Sequence, residues 1–396
     1  MQRLSQSPTE PGFVQNPYSF YDRARASGPL FFWEDYGLVC ATSATAVGAI
    51  LRDRRFGREI PAERRRPVPP HLEPFYAVEA HSMLELEPPR HTRLRSLVLR
   101  AFTSRRIAAL GPEIAALAHT LVDRFPGPAD GSFDLLESFA RPLPVIIIAR
   151  LLGVPEDRAP DLLAWSNAMV GMYQARRTRA TEDAAVAATE AFVAFMRTHV
   201  AARRTRPADD LITELIAAEM AGDKLSTDEL IATCILLLNA GHEATVHTIG
   251  NGVKALLDHG AGARELSPDR IDGTVEEILR FDPPLHLFTR HAYEDIEIAG
   301  HRFRRGDEVG CLLAAANRDP ASWDAPDRFD PGRPAKPVLS FGAGLHFCVG
   351  APLARLELAT ALPILFARCP RLSLAEPPRY ADLYHFHGLE RLMVRP

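Results

Sequence analysis

The stretch that decides how this chain folds is SFGAGLHFCVGAPLAR, residues 340–355. Glycines 342, 344 and 350 permit backbone angles and close approaches that a side chain would block. Cys348 stands just before a predicted helix whose first turn holds Pro352. A thiolate there gains from the helix dipole and from free backbone N–H donors. The residues alone describe a thiolate held in a rigid loop, suited to metal ligation or to nucleophilic attack, with His346 close enough in sequence to act as a base. A buried, inert cysteine is the plain alternative. A phosphate loop would end in Lys-Ser/Thr, which is missing here.

The chain of 396 residues is 46% hydrophobic and 24% charged with a net charge of −4, an ordinary globular composition without a basic footprint for nucleic acid. No run approaches the roughly 20 apolar residues that span a bilayer. The N-terminal MQRLSQSPTEPGF lacks the apolar core of a signal peptide, so a reducing cytoplasm is expected. Five scattered cysteines (40, 234, 311, 348, 369), with no C-x-x-C pair, speak against a disulfide framework or a structural zinc site. The arginine-rich run at 52–67 reads as a solvated, irregular loop.

NPYSFYDRARASG predicts a short helix, and PLFFWEDYGLVCATS two short strands around a Glu-Asp-Tyr-Gly turn. Apolar spacing of three and four predicts mostly helix from Pro88 to about Leu257. The best-defined helix opens on a capping box, Ser226 with Glu229, and runs past 30 residues to a glycine stop at Gly260. At its centre lies AGHEAT, 240–245, an odd place for a glycine and a carboxylate. A further helix is predicted from Ser267-Pro268 to before Asp282, then strands in DIEIAGHRFRRGDEVGCLL, a Pro- and Asp-rich coil, and a last helix from Ala351 to Ala367. The chain is mainly α with small β-sheets and has no visible domain break.

The cysteine loop matches Phe-x-x-Gly-x-His-x-Cys-x-Gly, and with it the chain resembles the cytochrome P450 family, soluble bacterial type. In the family's order follow EPPRHTRLR with His91 and Arg95, AGHEAT, the Glu-x-x-Arg pair Glu277/Arg280, and RFDPGR with Arg333. The resemblance implies the P450 fold as a single haem domain over 1–396, with a long central distal helix over haem b. Cys348 is then the axial ligand of the haem iron. His91, Arg95, Arg290 and His346 meet the propionates, and Phe341, Gly342, Gly350 and Ala240 border the haem. Glu277, Arg280 and Arg333 form a structural cluster.

The same resemblance implies a monooxygenase that splits O₂ and oxidises a small to medium apolar substrate. Electrons come from NAD(P)H through ferredoxin reductase and ferredoxin, with Arg100, Arg105 and Arg106 as candidate docking contacts. A monomer is expected, without nucleic-acid or membrane partners. Leu236, Asn239, Ala240, Ala244, Leu285, Leu287 and Phe288 line the substrate pocket, and loops at about 61–82 and 162–173 set specificity. Gly241 makes room for oxygen, and Glu243 relays protons. The family's usual threonine after this acid is Ala244 here, and the hydroxyl arrives at Thr245, 100° further round the helix. Glu243 and Thr245 are the catalytic candidates, with a substrate hydroxyl or ordered water expected to supply the missing group. A peroxide-driven enzyme and a non-catalytic haem sensor are the alternatives.

Overall fold

The computed structural model describes residues 1–127, 131–220 and 225–396. Its axis is the helix Thr227–Asp258, 32 residues and about 48 Å long. The capping box forms as expected: the Ser226 hydroxyl accepts the Glu229 N–H, and the Glu229 carboxylate accepts the Ser226 N–H at 2.9 Å. Gly260, at φ +63°, lies just beyond the His259 cap. The helices Pro142–Leu152, Ala159–Val170, Arg179–Thr205, Ile271–Phe281 and Ala351–Arg368 all pack against it. The helix expected from Ser267 begins instead at Ile271. Ser267 to Arg270 form a turn in which the Ser267 carbonyl accepts from both Arg270 and Ile271.

The predicted hairpin pairs Leu30–Trp33 antiparallel with Leu38–Ala41, turning at Gly37 with φ +66°. These strands sit in a six-stranded sheet whose order continues through Glu308–Leu312, Leu287–Ala292 and Phe56–Gly57. The register sets Phe288 opposite Cys311 and Arg290 opposite Val309. Alternation then decides which side chains reach the site: Leu287 turns away into a core with Phe13, Tyr21 and Leu312.

The Pro- and Asp-rich coil is fixed by a buried ion cluster. Glu277 holds Arg280 in a bidentate pair at 2.7 and 2.8 Å, accepts the Asp330 N–H at 2.7 Å, and stands 3.4 Å from Arg333. Arg280 in turn donates to the carbonyls of Asn317, Pro326 and Arg328. One guanidinium thus ties the end of the short helix Leu313–Asn317 to two points of the coil that follows it. The arginine-rich run is not wholly solvated, because Arg58 turns inward and bonds Glu85 at 2.7 Å.

Candidate active site

The cysteine loop folds back on itself. The Cys348 N–H donates to the Phe341 carbonyl at 3.0 Å, and Gly344 sits at φ +70° with the Leu51 carbonyl where a Cβ would go. Only glycine fits there. The Arg355 guanidinium lies 4.7 Å above the Phe341 ring and pairs with Glu276, locking loop to helix. Burial raises the Cys348 thiol above its ordinary value, outweighing the Gly350 and Ala351 N–H donors and the Arg95 and Arg355 charges that lower it. Left alone, this thiol stays protonated and is a poor nucleophile; a bound cation would deprotonate it. His346 Nε2 is engaged with Glu87 at 2.9 Å, and among the described residues no hydrogen bond links this ring to Cys348.

Basic side chains converge beside the loop. The His346 and His91 rings lie 4.4 Å apart, and Arg95 donates to the Phe347 carbonyl at 2.7 Å. Arg290 is 2% exposed, and burial pulls its pKa down to about 10. Among the described residues no carboxylate lies within ion-pair distance of it, and its guanidinium donates to the Thr289 carbonyl. His91 Nδ1 is likewise buried without a partner, and burial lowers the imidazole to about 4. A buried guanidinium and an orphaned ring nitrogen are costly unless an anion belongs beside them. Around one carboxylate, Glu87, this group has positive charge to spare, and two propionates fit it.

The central helix is buried along most of its length, but Leu236, Asn239, Ala240, Glu243 and Ala244 form a partly open stripe at helical spacing. Among the described residues Asn239 Oδ1 has no partner, and its amide Nδ2 reaches Met169 Sδ at 3.6 Å. Phe288 packs at 3.4 Å from where a Gly342 Cβ would stand, so it borders the loop, and Leu285 bridges to Phe386. Two expectations change. Gly241 does not open room over the site, because a Cβ there would meet Ile148 Cγ1 at 2.9 Å; the glycine serves helix packing. Thr245 is buried off the stripe, its hydroxyl directed at the Gly241 carbonyl at 3.4 Å.

Sequence reading missed a polar knot joining the two expected specificity loops. The Tyr173 hydroxyl donates to Glu79 at 2.6 Å, beside the Arg58–Glu85 pair. Burial pushes the Glu79 carboxyl up to about 7, although the Tyr173 hydroxyl and Arg58 work against it. Of the proposed docking arginines, Arg106 is paired with Glu214 and Asp209, while Arg105 is exposed.

A partly exposed thiol in a rigid loop, a basic cradle with room for carboxylates and a facing open helix stripe fit what a haem-thiolate pocket needs. The family model described as Cytochrome P450 matches residues 31–261 and 271–375, and the chain belongs to this family of haem monooxygenases. It is 37% identical over 400 residues to the biotin biosynthesis cytochrome P450 of Bacillus subtilis, covering 99% of each chain. It is 38% identical to the vitamin D(3) 25-hydroxylase of Pseudonocardia autotrophica, over 96% of this chain and 94% of that one. A solved structure of P450BioI in complex with acyl carrier protein ligated to hexadec-9Z-enoic acid superposes with a TM-score of 0.89 at 36% identity, covering 97% of this chain and 99% of that one. Among the described residues, no helix is long and apolar enough to cross a membrane.

Proposed function

We propose that the chain is a single haem domain over 1–396 that holds haem b on Cys348 and hydroxylates a small to medium apolar substrate in the cytoplasm, as a monomer. Electrons from NAD(P)H arrive through a ferredoxin reductase and a ferredoxin. The observation that carries this reading is the facing pair: the cysteine loop with its basic cradle, and the open stripe from Leu236 to Ala244. Bound haem supplies the oxygen-activating chemistry. The chain's own residues do the rest. Arg290, Arg95, His91 and His346 hold the propionates, and Phe341, Gly342, Gly350 and Ala240 border the ring. Leu236, Asn239, Ala244, Leu285 and Phe288 shape the space above it, with Asn239 the polar group of that wall. Glu243 is the proton-handling acid, and with Ala244 after it a substrate hydroxyl or ordered water completes the relay.

The names of two relatives, a vitamin D(3) hydroxylase and a protein crystallised with a hexadecenoic acyl chain, agree with an apolar substrate. Arg100 and Arg105 are the exposed candidates for a ferredoxin contact. The test starts from ligands that shift the spin state and supplies ¹⁸O₂, ferredoxin, reductase and NADPH. One labelled oxygen in the product supports the reading. Turnover with hydrogen peroxide alone, and none with reductant, supports the peroxide-driven alternative. A ligand response without any reductant consumed supports the sensor.

A further inference from the structure

Glu243 does not stand alone on the central helix. His242 Nε2 is 3.5 Å from one of its oxygens and His247 Nε2 is 3.4 Å from the other. The hydroxyls nearby are spoken for: Thr245 by the Gly241 carbonyl and Thr248 by the Ala244 carbonyl at 2.7 Å. The two histidines differ in what they can give. His242 Nδ1 lies 2.7 Å from the Leu238 carbonyl, so that nitrogen carries the hydrogen and Nε2 is left as a lone pair facing the carboxylate. Burial lowers the His242 imidazole, which keeps it neutral. It has no proton to pass on.

His247 is built differently. It is buried, and among the described residues both of its ring nitrogens lack a hydrogen-bond partner and no backbone carbonyl fixes its tautomer. Its Nδ1 presses against Gly388, where a Cβ would land 1.9 Å from that nitrogen. Gly388 therefore makes the slot in which the ring stands, one nitrogen toward Glu243 and the other toward the C-terminal turn. That turn is partly accessible at His385 and Phe386.

Resting on the monooxygenase reading above, we infer that His247 is the proton donor to Glu243, a second station in the relay that serves the distal pocket. One proton leaves Nε2 of the His247 imidazolium for Oε1 of Glu243, leaving a neutral ring and a protonated carboxyl. The carboxyl passes that proton on into the pocket, and the ring takes another from solvent through Nδ1. The charged and titratable groups that face the pair are His242 on the same helix, Arg141 toward Glu243, and His387 of the C-terminal turn toward His247; the Phe386 ring, 6.1 Å from His247, closes the remaining side. Burial raises the Glu243 carboxyl, but the hydrogen bond and charge of His247, helped by the Arg141 charge, hold the acid below its ordinary value, so it returns to the carboxylate after each transfer.

The test compares the holoenzyme with His247→Gln, or with the smaller His247→Asn if glutamine does not fit the slot. All proteins must retain the thiolate-type absorption of the reduced, carbon-monoxide-bound form; its absence in the natural enzyme would overturn the underlying monooxygenase reading instead. The first readout is the infrared carbonyl band of protonated Glu243, assigned by its loss in Glu243→Gln. Without His247 the carboxyl should protonate at higher pH. The second is product formed per electron, which should fall on the order of tenfold with a larger solvent isotope effect and unchanged ligand affinity. A carboxyl band that titrates as in the natural enzyme, or unchanged coupling, overturns the inference.

Discussion

Replacing Gly241 by alanine separates two physical accounts of the same residue. An alanine inside an exposed helix would gain about 1 kcal/mol over glycine. Here the added methyl lands 2.9 Å from Ile148 Cγ1, 3.2 Å from Cδ1 and 3.4 Å from Cβ. Ile148 is 1% exposed, on a neighbouring helix that packs directly on the central one, so it has little room to yield. Overpacking of this kind costs about 1–3 kcal/mol, which leaves a net loss of about 0–2 kcal/mol. The sign should reverse in an Ile148→Ala background. That change alone costs about 2–5 kcal/mol and leaves a void. The methyl of Gly241→Ala would then fill part of the void while keeping its helical advantage, for a gain of about 1 kcal/mol or more. Urea denaturation of the four proteins of the cycle, followed by circular dichroism and haem absorption, measures the coupling, expected at about 1–3 kcal/mol. Additive effects, or a stabilising Gly241→Ala in both backgrounds, would refute the packing account and return the glycine to the open side of the helix.

Removing Glu277 by Glu277→Ala strands Arg280 in the interior and frees the coil it anchors, so stability should fall by about 3–5 kcal/mol in the same denaturation assay; a loss below 1 kcal/mol would show the cluster to be incidental. Glu357 is buried with both oxygens unpartnered among the described residues, and burial pushes its carboxyl up to about 8 from an ordinary 4.5. Its raised value favours the neutral form in the fold, so the stability it allows is full below about pH 4.5 and lost as pH rises toward 8. Glu357→Gln should therefore flatten that decline and be the more stable protein at pH 8, and equal slopes from pH 5 to 8 would contradict this. Restoring the family's hydroxyl by Ala244→Thr should not raise product formed per electron with the natural substrate. Poor coupling in the natural enzyme that improves in the variant would sink the idea that substrate or water supplies the missing group.

The central helix was legible because its ends are written locally: the Ser226–Glu229 box and Gly260 are short-range chemistry that the structure reproduces. The cysteine loop was legible for the same reason, since Gly342 and Gly344 mark left-handed backbone that a side chain would strain, whereas Gly350 turns out to have ordinary helical angles. Partners supplied from far along the chain could not be read. Helical spacing places Gly241 on a face without naming Ile148 as what lies against it, and nothing around Arg58 announces Glu85 or the Tyr173–Glu79 bond. The Leu287 expectation failed on a signal that was available. In a strand Leu287 and Phe288 must point to opposite faces, so both could not line one pocket. The Glu243–His247 spacing of four residues is visible in the sequence too, but it does not say whether the pair is exposed; the packing of Gly388 against the ring shows it to be interior.

The account stands on Cys348 as a thiolate ligand of haem iron. Its most direct test is the absorption spectrum of the reduced protein under carbon monoxide, for the natural sequence and for Cys348→Ala. A thiolate-type band that disappears in the variant is the expected result. A histidine-type band in active protein, or a thiolate-type band that survives the loss of Cys348, would contradict it.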